Sequence, residues 1–199
     1  MINTVIFDYG NTLARYDQEE LGRMYAANPE DAALLCEVAF SRYYWDRLDE
    51  GTLSNDEWIA DAKKHLPPHL QALVPIIATT WHKRLPIIDG MQALVDSLRQ
   101  RGVKLYLLSN ISEFFYEHHH EIEILKDFDG ILCSATVKTV KPNPEIYEIL
   151  IDRYHLATNS CVFIDDRQDN LDAAAAFGIH TYLFDGDADR LSRYLDTVL

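Results

Sequence analysis

The feature that most constrains the fold is a set of five short apolar runs separated by helix-like segments. The runs are TVIFD near the start, then VKLYLLS, GILCS, CVFID and HTYLF between residues 103 and 184. In the intervening segments apolar residues recur at helical spacing, as at Met91, Leu94 and Leu98. Apolar strands that alternate with helices are typical of parallel sheets covered on both faces. The pattern therefore predicts an α/β fold with a parallel sheet of about five strands and helices on both faces.

Residues 14–85 interrupt this alternation. They are helical in pattern and contain no convincing strand. The segment EDAALLCEVAFSRYYWDRL predicts one long helix, which ends before Gly51. We therefore predict an inserted all-helical cap over residues 14–85, and a core formed by residues 1–13 and 86–199.

Charge and hydropathy exclude several classes of partner. The chain has 199 residues and a formal net charge of −14, which repels nucleic acid. No apolar run approaches the ~20 residues that a membrane-spanning helix needs, and the first residues lack the pattern of a signal peptide. We predict a cytoplasmic protein with no nucleic-acid or membrane partner. A phosphate site in so acidic a chain would need a cation, a lysine or backbone amides.

Several polar side chains stand at the carboxyl ends of the predicted strands, where parallel sheets bind their ligands. They are an aspartate after the first strand, a hydroxyl and an amide after the second, and two acids after the fourth: Asp8, Ser109, Asn110, Asp165 and Asp166. Lys141 precedes a proline at the start of a helix. We expect these groups to converge at one rim of the sheet.

Four segments resemble the motifs of the haloacid dehalogenase-like superfamily, in the order of that family: FDYGNTL, LLSN, VKPNPEIY and FIDDRQDNLDAAAAFGI. The spacing is similar to that of the branch with a helical cap after the first motif. FDYGN resembles members that act on glucose 1-phosphate. The resemblance spans residues 5 to about 183 and implies a Rossmann-like core, with the cap matched only by position and helical character.

The resemblance implies a role for each motif residue. Asp8 would be the nucleophile and form an aspartyl-phosphate. Ser109, the Asn110 backbone amide and Lys141 would bind the phosphate, and Lys141 would also act in catalysis with Ser109. The implied cofactor is Mg²⁺, and the implied partner is a small phosphorylated metabolite similar to a sugar phosphate. The metal would be held by Asp8, the Gly10 carbonyl and Asp166, with Asp165 acting through water and Asn170 orienting Asp166 or its loop.

Gly10 departs from the pattern of most phosphatases in this family, which carry a second aspartate at this place. That aspartate gives a proton to the leaving alcohol and then activates water, a contribution typically worth ~10²–10⁴-fold in rate. Without it the proton must come from water, the substrate or the cap. Hydrolysis of ordinary alcohol esters should then be modest.

Two alternatives to a phosphatase stay open. The dehalogenases of the family also lack the second acid, attack carbon and need no metal, but they replace the acids at positions 165 and 166 with Ser and Asn. Because Asp165 and Asp166 are present, a metal-independent 2-haloacid dehalogenase is less favoured. A weakly active or inactive regulatory domain is the other alternative. The pattern fixes neither the natural substrate nor the oligomeric state.

A group of aromatic and basic residues in the predicted cap has two interpretations. It comprises Arg42, Tyr43, Tyr44, Trp45 and Arg47. An aromatic run on a helix is usually part of a core. In this family the cap sets specificity, so at least one of these side chains could instead face the active site.

Overall fold

The five predicted runs form one parallel sheet in a computed structural model of the protein, which describes residues 2–199. Its strand order is β3-β2-β1-β4-β5. The strands are β1 (Thr4–Phe7), β2 (Lys104–Ser109), β3 (Gly130–Cys133), β4 (Cys161–Asp165) and β5 (His180–Leu183). The predicted fold class is confirmed.

The register of the central strands brings the predicted site residues to one edge. Phe7, the last residue of β1, lies opposite Leu107 of β2 and Ile164 of β4. The Asp8 N–H continues this ladder and donates to the Ile164 carbonyl at 2.9 Å. Since all strands run in the same direction, the residues that follow them meet at the same edge.

Six α-helices lie after β1 in the segment predicted as the cap, residues 14–85. They are α1 (Gln18–Tyr25), α2 (Pro29–Glu37), α3 (Arg42–Asp49), α4 (Asn55–Ala62), α5 (Pro68–Gln71) and α6 (Leu73–Thr80). We call these the inserted helices. Within residues 2–199 no helix is both long and apolar enough to cross a membrane.

The later helices cover the two faces of the sheet. They are α7 (Met91–Gln100), α8 (Glu113–His118), α9 (Ser134–Val137), α10 (Pro144–Tyr154), α11 (Gln168–Ala175) and α12 (Ala188–Val198). Alternate residues of β1 belong to different apolar clusters, because successive side chains of a strand point to opposite faces. Phe7 packs in the cluster of α7 and α12, whereas Ile6 packs in the cluster of α10 and α11.

The single long helix predicted before Gly51 is wrong, because the structure has two helices, α2 and α3, with a break between them. In the break, the Ala39 carbonyl accepts the indole N–H groups of Trp45 at 3.3 Å and Trp58 at 3.2 Å. Both indoles are buried, and a buried N–H needs an acceptor. The interrupted helix supplies that acceptor, because the Ala39 carbonyl is not used in a continuous helical ladder.

The end of α3 lies against α9, the short helix that follows β3. The Ser134 hydroxyl donates to the Asp49 carbonyl at 2.6 Å. Gly51 follows with φ of +67°, and a Cβ there would lie 2.4 Å from the Ala135 carbonyl oxygen. Only glycine combines this backbone conformation with so close an approach. The inserted helices are therefore fixed to the core at this point.

We expect Gly51→Ala to destabilise the protein more than Gly102→Ala. Gly102 has a similar φ of +73° but no atom within 4 Å of an added Cβ. Both variants incur the cost of a left-handed alanine, about 1–2 kcal/mol. Gly51→Ala adds a backbone clash that we expect to cost a further ~1–3 kcal/mol. Urea unfolding of both variants measures the difference in the free energy of unfolding. Equal losses would show that the contact with Ala135 does not affect stability.

Candidate active site

A cavity of about 330 Å³ opens at the carboxyl edge of the sheet. Its lining includes every sequence-predicted site residue except Asp165, namely Asp8, Gly10, Ser109, Asn110, Lys141, Asp166 and Asn170. The inserted helices contribute Gln18 of α1 and part of α3, including Arg42, Trp45 and Asp49. Residues that are far apart in the sequence thus share one enclosed space.

A buried lysine joins two aspartates of different strands. The Lys141 Nζ lies 2.9 Å from Asp8 Oδ1 and 2.7 Å from Asp165 Oδ2. The lysine is 3% exposed and Asp165 is fully buried. Burial by itself would lower the pKa of Lys141, but the two carboxylates outweigh it and hold this pKa above its ordinary value. The ammonium therefore stays charged.

Asp165 is held on all sides by donors. The Asn170 side-chain amide donates to both carboxylate oxygens at 3.0 Å, and the Arg167 N–H donates to Oδ1 at 2.8 Å. With Lys141 on Oδ2, each oxygen has two partners. The structure places the Asn170 amide on Asp165 rather than on Asp166. Asp165 thus acts as an anchor for Lys141.

Asn110 holds the backbone of Lys141. Its Oδ1 accepts the Lys141 N–H at 2.7 Å, and its Nδ2 donates to the Lys141 carbonyl at 2.9 Å. The two bonds tie the end of β2 to the lysine. Sequence reasoning assigned only the backbone amide of Asn110 and missed this side-chain contact. No local sequence pattern indicates this contact, because the two residues are 31 positions apart.

Asp8 lies in an unfavourable environment for a charge. Burial raises its pKa above the ordinary value and the Asp165 charge adds to this, while Lys141 and the Ser109 hydroxyl oppose it. Burial, followed by the Asp165 charge, also raises the pKa of Asp166. Carboxylate oxygens of Asp8, Asp165 and Asp166 lie within 4.8 Å of one another. Three carboxylates face a single lysine, so the cluster favours an added cation.

Gly10 leaves open space at the place where a second acid is absent. A Cβ added there would meet nothing nearer than the Tyr16 Cβ, at 3.9 Å. The backbone therefore has room for a side chain at this position. Packing does not explain the glycine.

One face of α3 points into the cavity, and the sequence pattern only partly identified it. Arg42 and Trp45, from the aromatic and basic group, line the cavity, whereas Tyr43 is 62% exposed. Asp46 and Asp49 also line it and were not singled out. Residues 42, 45, 46 and 49 share one helix face. Helical spacing places Asp49 on the same face as Trp45. The sequence does not show in which direction that face points.

The family model of the haloacid dehalogenase-like hydrolases matches residues 2–178. The chain belongs to this family of hydrolases. This membership agrees with the parallel sheet, with the cavity at the strand ends and with the four motifs.

Relatives of the chain include two phosphatases. A D-ribitol-5-phosphate phosphatase of Bacteroides thetaiotaomicron is 23% identical, over 95% of this chain and 95% of that protein. A sesquiterpene phosphatase of Aspergillus oryzae is 33% identical, over 68% of this chain and 69% of that protein.

Solved structures share the fold. One is a family enzyme of Bacteroides thetaiotaomicron in complex with magnesium and inorganic phosphate. It superposes with a TM-score of 0.70 at 20% identity, covering 96% of this chain and 99% of that one. Dehalogenases share the fold as well, so the fold by itself does not separate the two reactions.

We expect Asp8→Asn to raise the melting temperature of the metal-free protein at neutral pH. The pKa of Asp8 is raised in the folded state. The protonated carboxyl therefore stabilises the fold below the unfolded pKa, and this contribution is lost as pH rises through the folded pKa. Removing the charge restores that contribution. Thermal unfolding in chelator should show the gain shrinking as pH falls toward 4. A melting temperature below wild type would contradict this electrostatic description.

Asp165→Asn should change stability in the opposite direction to Asp8→Asn. The substitution removes one partner of the buried Lys141 and sets a new amide against the Asn170 amide. Breaking a buried ion pair from one side typically costs ~3–5 kcal/mol. We expect a loss of this size in the same unfolding experiment. If both variants shift stability in the same direction, the roles assigned to the two aspartates are wrong.

Proposed function

We propose that the protein is a Mg²⁺-dependent phosphatase that hydrolyses a small phosphomonoester through an aspartyl-phosphate at Asp8. One observation carries the proposal. Asp8 lies at the floor of the cavity, paired with the buried Lys141 and within 4.8 Å of two further acids. A nucleophilic carboxylate, a fixed positive charge and an oxygen-rich cation site are the groups that phosphoryl transfer to an aspartate requires.

The acidic cluster fits Mg²⁺, which prefers oxygen ligands. Since the oxygens of Asp165 are already engaged by Lys141 and Asn170, we assign the metal to Asp8, the Gly10 carbonyl and Asp166. When bound, Mg²⁺ supplies positive charge that offsets the repulsion between a phosphate dianion and the Asp8 carboxylate.

The other roles in the reaction are assigned to residues of the chain itself. Asp8 attacks phosphorus. Lys141 holds a charge beside it, and its position is fixed by Asp165 and Asn110. Ser109 and the Asn110 backbone amide bind phosphate oxygens at the end of β2.

In the same proposal, residues 14–85 are the cap, and residues 1–13 and 86–199 are the catalytic core. The wall of the cavity that α3 contributes supports this division. Residues of α3 on one side and of the sheet edge on the other would reduce the access of water to the reacting groups.

The substrate class is the least constrained part of the proposal. The cavity of about 330 Å³ suits a small ester. The relative that acts on D-ribitol 5-phosphate and spans the same length supports a sugar phosphate or polyol phosphate. We place the protein in the cytoplasm, without a nucleic-acid partner.

We expect Asp8→Asn to lower kcat by at least ~10³-fold, because the amide is no longer a nucleophile. Turnover is measured on p-nitrophenyl phosphate and a panel of sugar and polyol phosphates, with Mg²⁺ and with chelator. Asp152→Asn, an exposed acid on α10, is the control and should match wild type. Full activity of Asp8→Asn would exclude the aspartyl-phosphate.

We also expect Mg²⁺ to raise the melting temperature of the wild-type protein, since a ligand that binds only the folded state stabilises it. Asp166→Asn should remove most of that shift, and Asp152→Asn should retain it. This readout does not depend on finding the substrate. A shift that survives in Asp166→Asn would place the metal elsewhere.

A carbon-attacking dehalogenase is the second candidate, and the missing acid at Gly10 favours it. Release of halide from a 2-haloacid in the presence of chelator would support it and contradict the phosphatase. No turnover of any phosphate or haloacid would instead favour the regulatory domain. Retention of Asp165 and Asp166, with their oxygens close to Asp8, favours the phosphatase.

A further inference from the structure

The inserted helices also bring carboxyl groups to the cavity, from α3. Asp49 is the last residue of α3 and lines the same cavity as Asp8. Its side chain is half-buried. Among residues 2–199 it has no hydrogen bond or ion pair, and only burial and more distant charges act on it. A half-buried carboxyl without a partner in an active-site cavity needs an explanation.

The backbone of Asp49 is fixed relative to the phosphate-binding strand. The Ser134 hydroxyl donates to the Asp49 carbonyl at 2.6 Å and accepts the Ile111 N–H at 2.9 Å. Ile111 stands two residues after Ser109 in the sequence. The contact of Gly51 with Ala135 holds the other side of the same turn. A general acid must be held in place, and these contacts provide that restraint.

The surroundings favour the protonated form of this carboxyl. Burial raises the pKa of Asp49 well above its ordinary value, and the charges of Asp46, Asp8 and Glu50 add to this while Arg42 opposes it. The other titratable groups that face it are Tyr16 and Cys133, whose pKa values burial also raises, so both stay neutral. Asp46, on the same helix face, is more exposed and pairs with Arg42 at 3.2 Å, whereas the Asp49 side chain has no such partner among the described residues.

We propose that Asp49 is the general acid and base of the reaction, in place of the side chain that Gly10 lacks. The inference rests on the proposed phosphatase function. In the first step Asp8 forms a bond to phosphorus, the bond from phosphorus to the alkoxy oxygen breaks, and Asp49 gives its proton to that oxygen. In the second step Asp49 takes a proton from water as the water oxygen attacks phosphorus. Inorganic phosphate leaves, and Asp8 regains its carboxylate.

The test compares Asp49→Asn with wild type on two kinds of ester. On D-ribitol 5-phosphate, or the fastest alkyl phosphate of the panel, kcat should fall by ~10²–10⁴-fold with little change in KM. On p-nitrophenyl phosphate the first turnover should stay near wild type, because nitrophenolate leaves without a proton. A burst followed by slow turnover should then appear, because no base activates water. Asp152→Asn, the exposed acid on α10 outside the cavity, is the control and should behave as wild type.

The pH profile gives a second readout. The first step needs the protonated form of Asp49, so wild-type kcat on the alkyl ester should fall as pH rises through its raised pKa. Asp49→Asn should lack this decline. Its melting temperature should be at or above wild type at pH values above this raised pKa, where the aspartate carries a charge that burial disfavours.

Gly10→Asp in the Asp49→Asn background tests the same role by rescue. The open space at Gly10 admits the new side chain, so turnover of the alkyl ester should recover. Wild-type kcat in Asp49→Asn on the alkyl ester, or equal losses in the first turnover of both esters, would overturn the inference while leaving the phosphatase intact. Failure of wild type to hydrolyse any phosphate ester would overturn both.

Discussion

The ammonium of Lys141 is the interaction on which the site depends. It lies within 3 Å of one carboxylate oxygen of Asp8 and one of Asp165, so it holds the ends of β1 and β4 together. Asn110 fixes the lysine backbone to the end of β2. Without this charge, three carboxylates would crowd a space where burial already raises the pKa of Asp8 and Asp166. This one residue therefore couples three strands, and its charge lies beside Asp8.

The strands and the strand-end residues could be predicted from the sequence because their causes are local. An apolar run such as CVFID is buried in a parallel sheet wherever its helices lie, and the residue after it must stand at the edge. The break between α2 and α3 has a distant cause. It leaves the Ala39 carbonyl to the indole of Trp58, 19 residues away, and helical periodicity contains no trace of that bond.

The same distinction separates the two halves of the candidate site. Asp8, Ser109 and Asp166 follow from strand ends and from the family motifs. The position of Asp49 depends on how α3 meets the sheet edge, and hence on Ser134 and Gly51, which lie outside those motifs. Residues on the inserted helices lie outside the motifs of the core. Substrate preference is therefore harder to predict from the motifs than chemistry is.

The attachment of α3 at Gly51 also determines how the cavity can open. The turn after Asp49 is held against Ala135 and Ser134, whereas Arg42 at the other end of the helix is exposed. An opening movement of the inserted helices would pivot at the held end, and the widest gap would form beside Arg42. The substrate would then enter past a guanidinium, which attracts phosphate. Asp49 lies next to the held turn, so it would move least during such an opening.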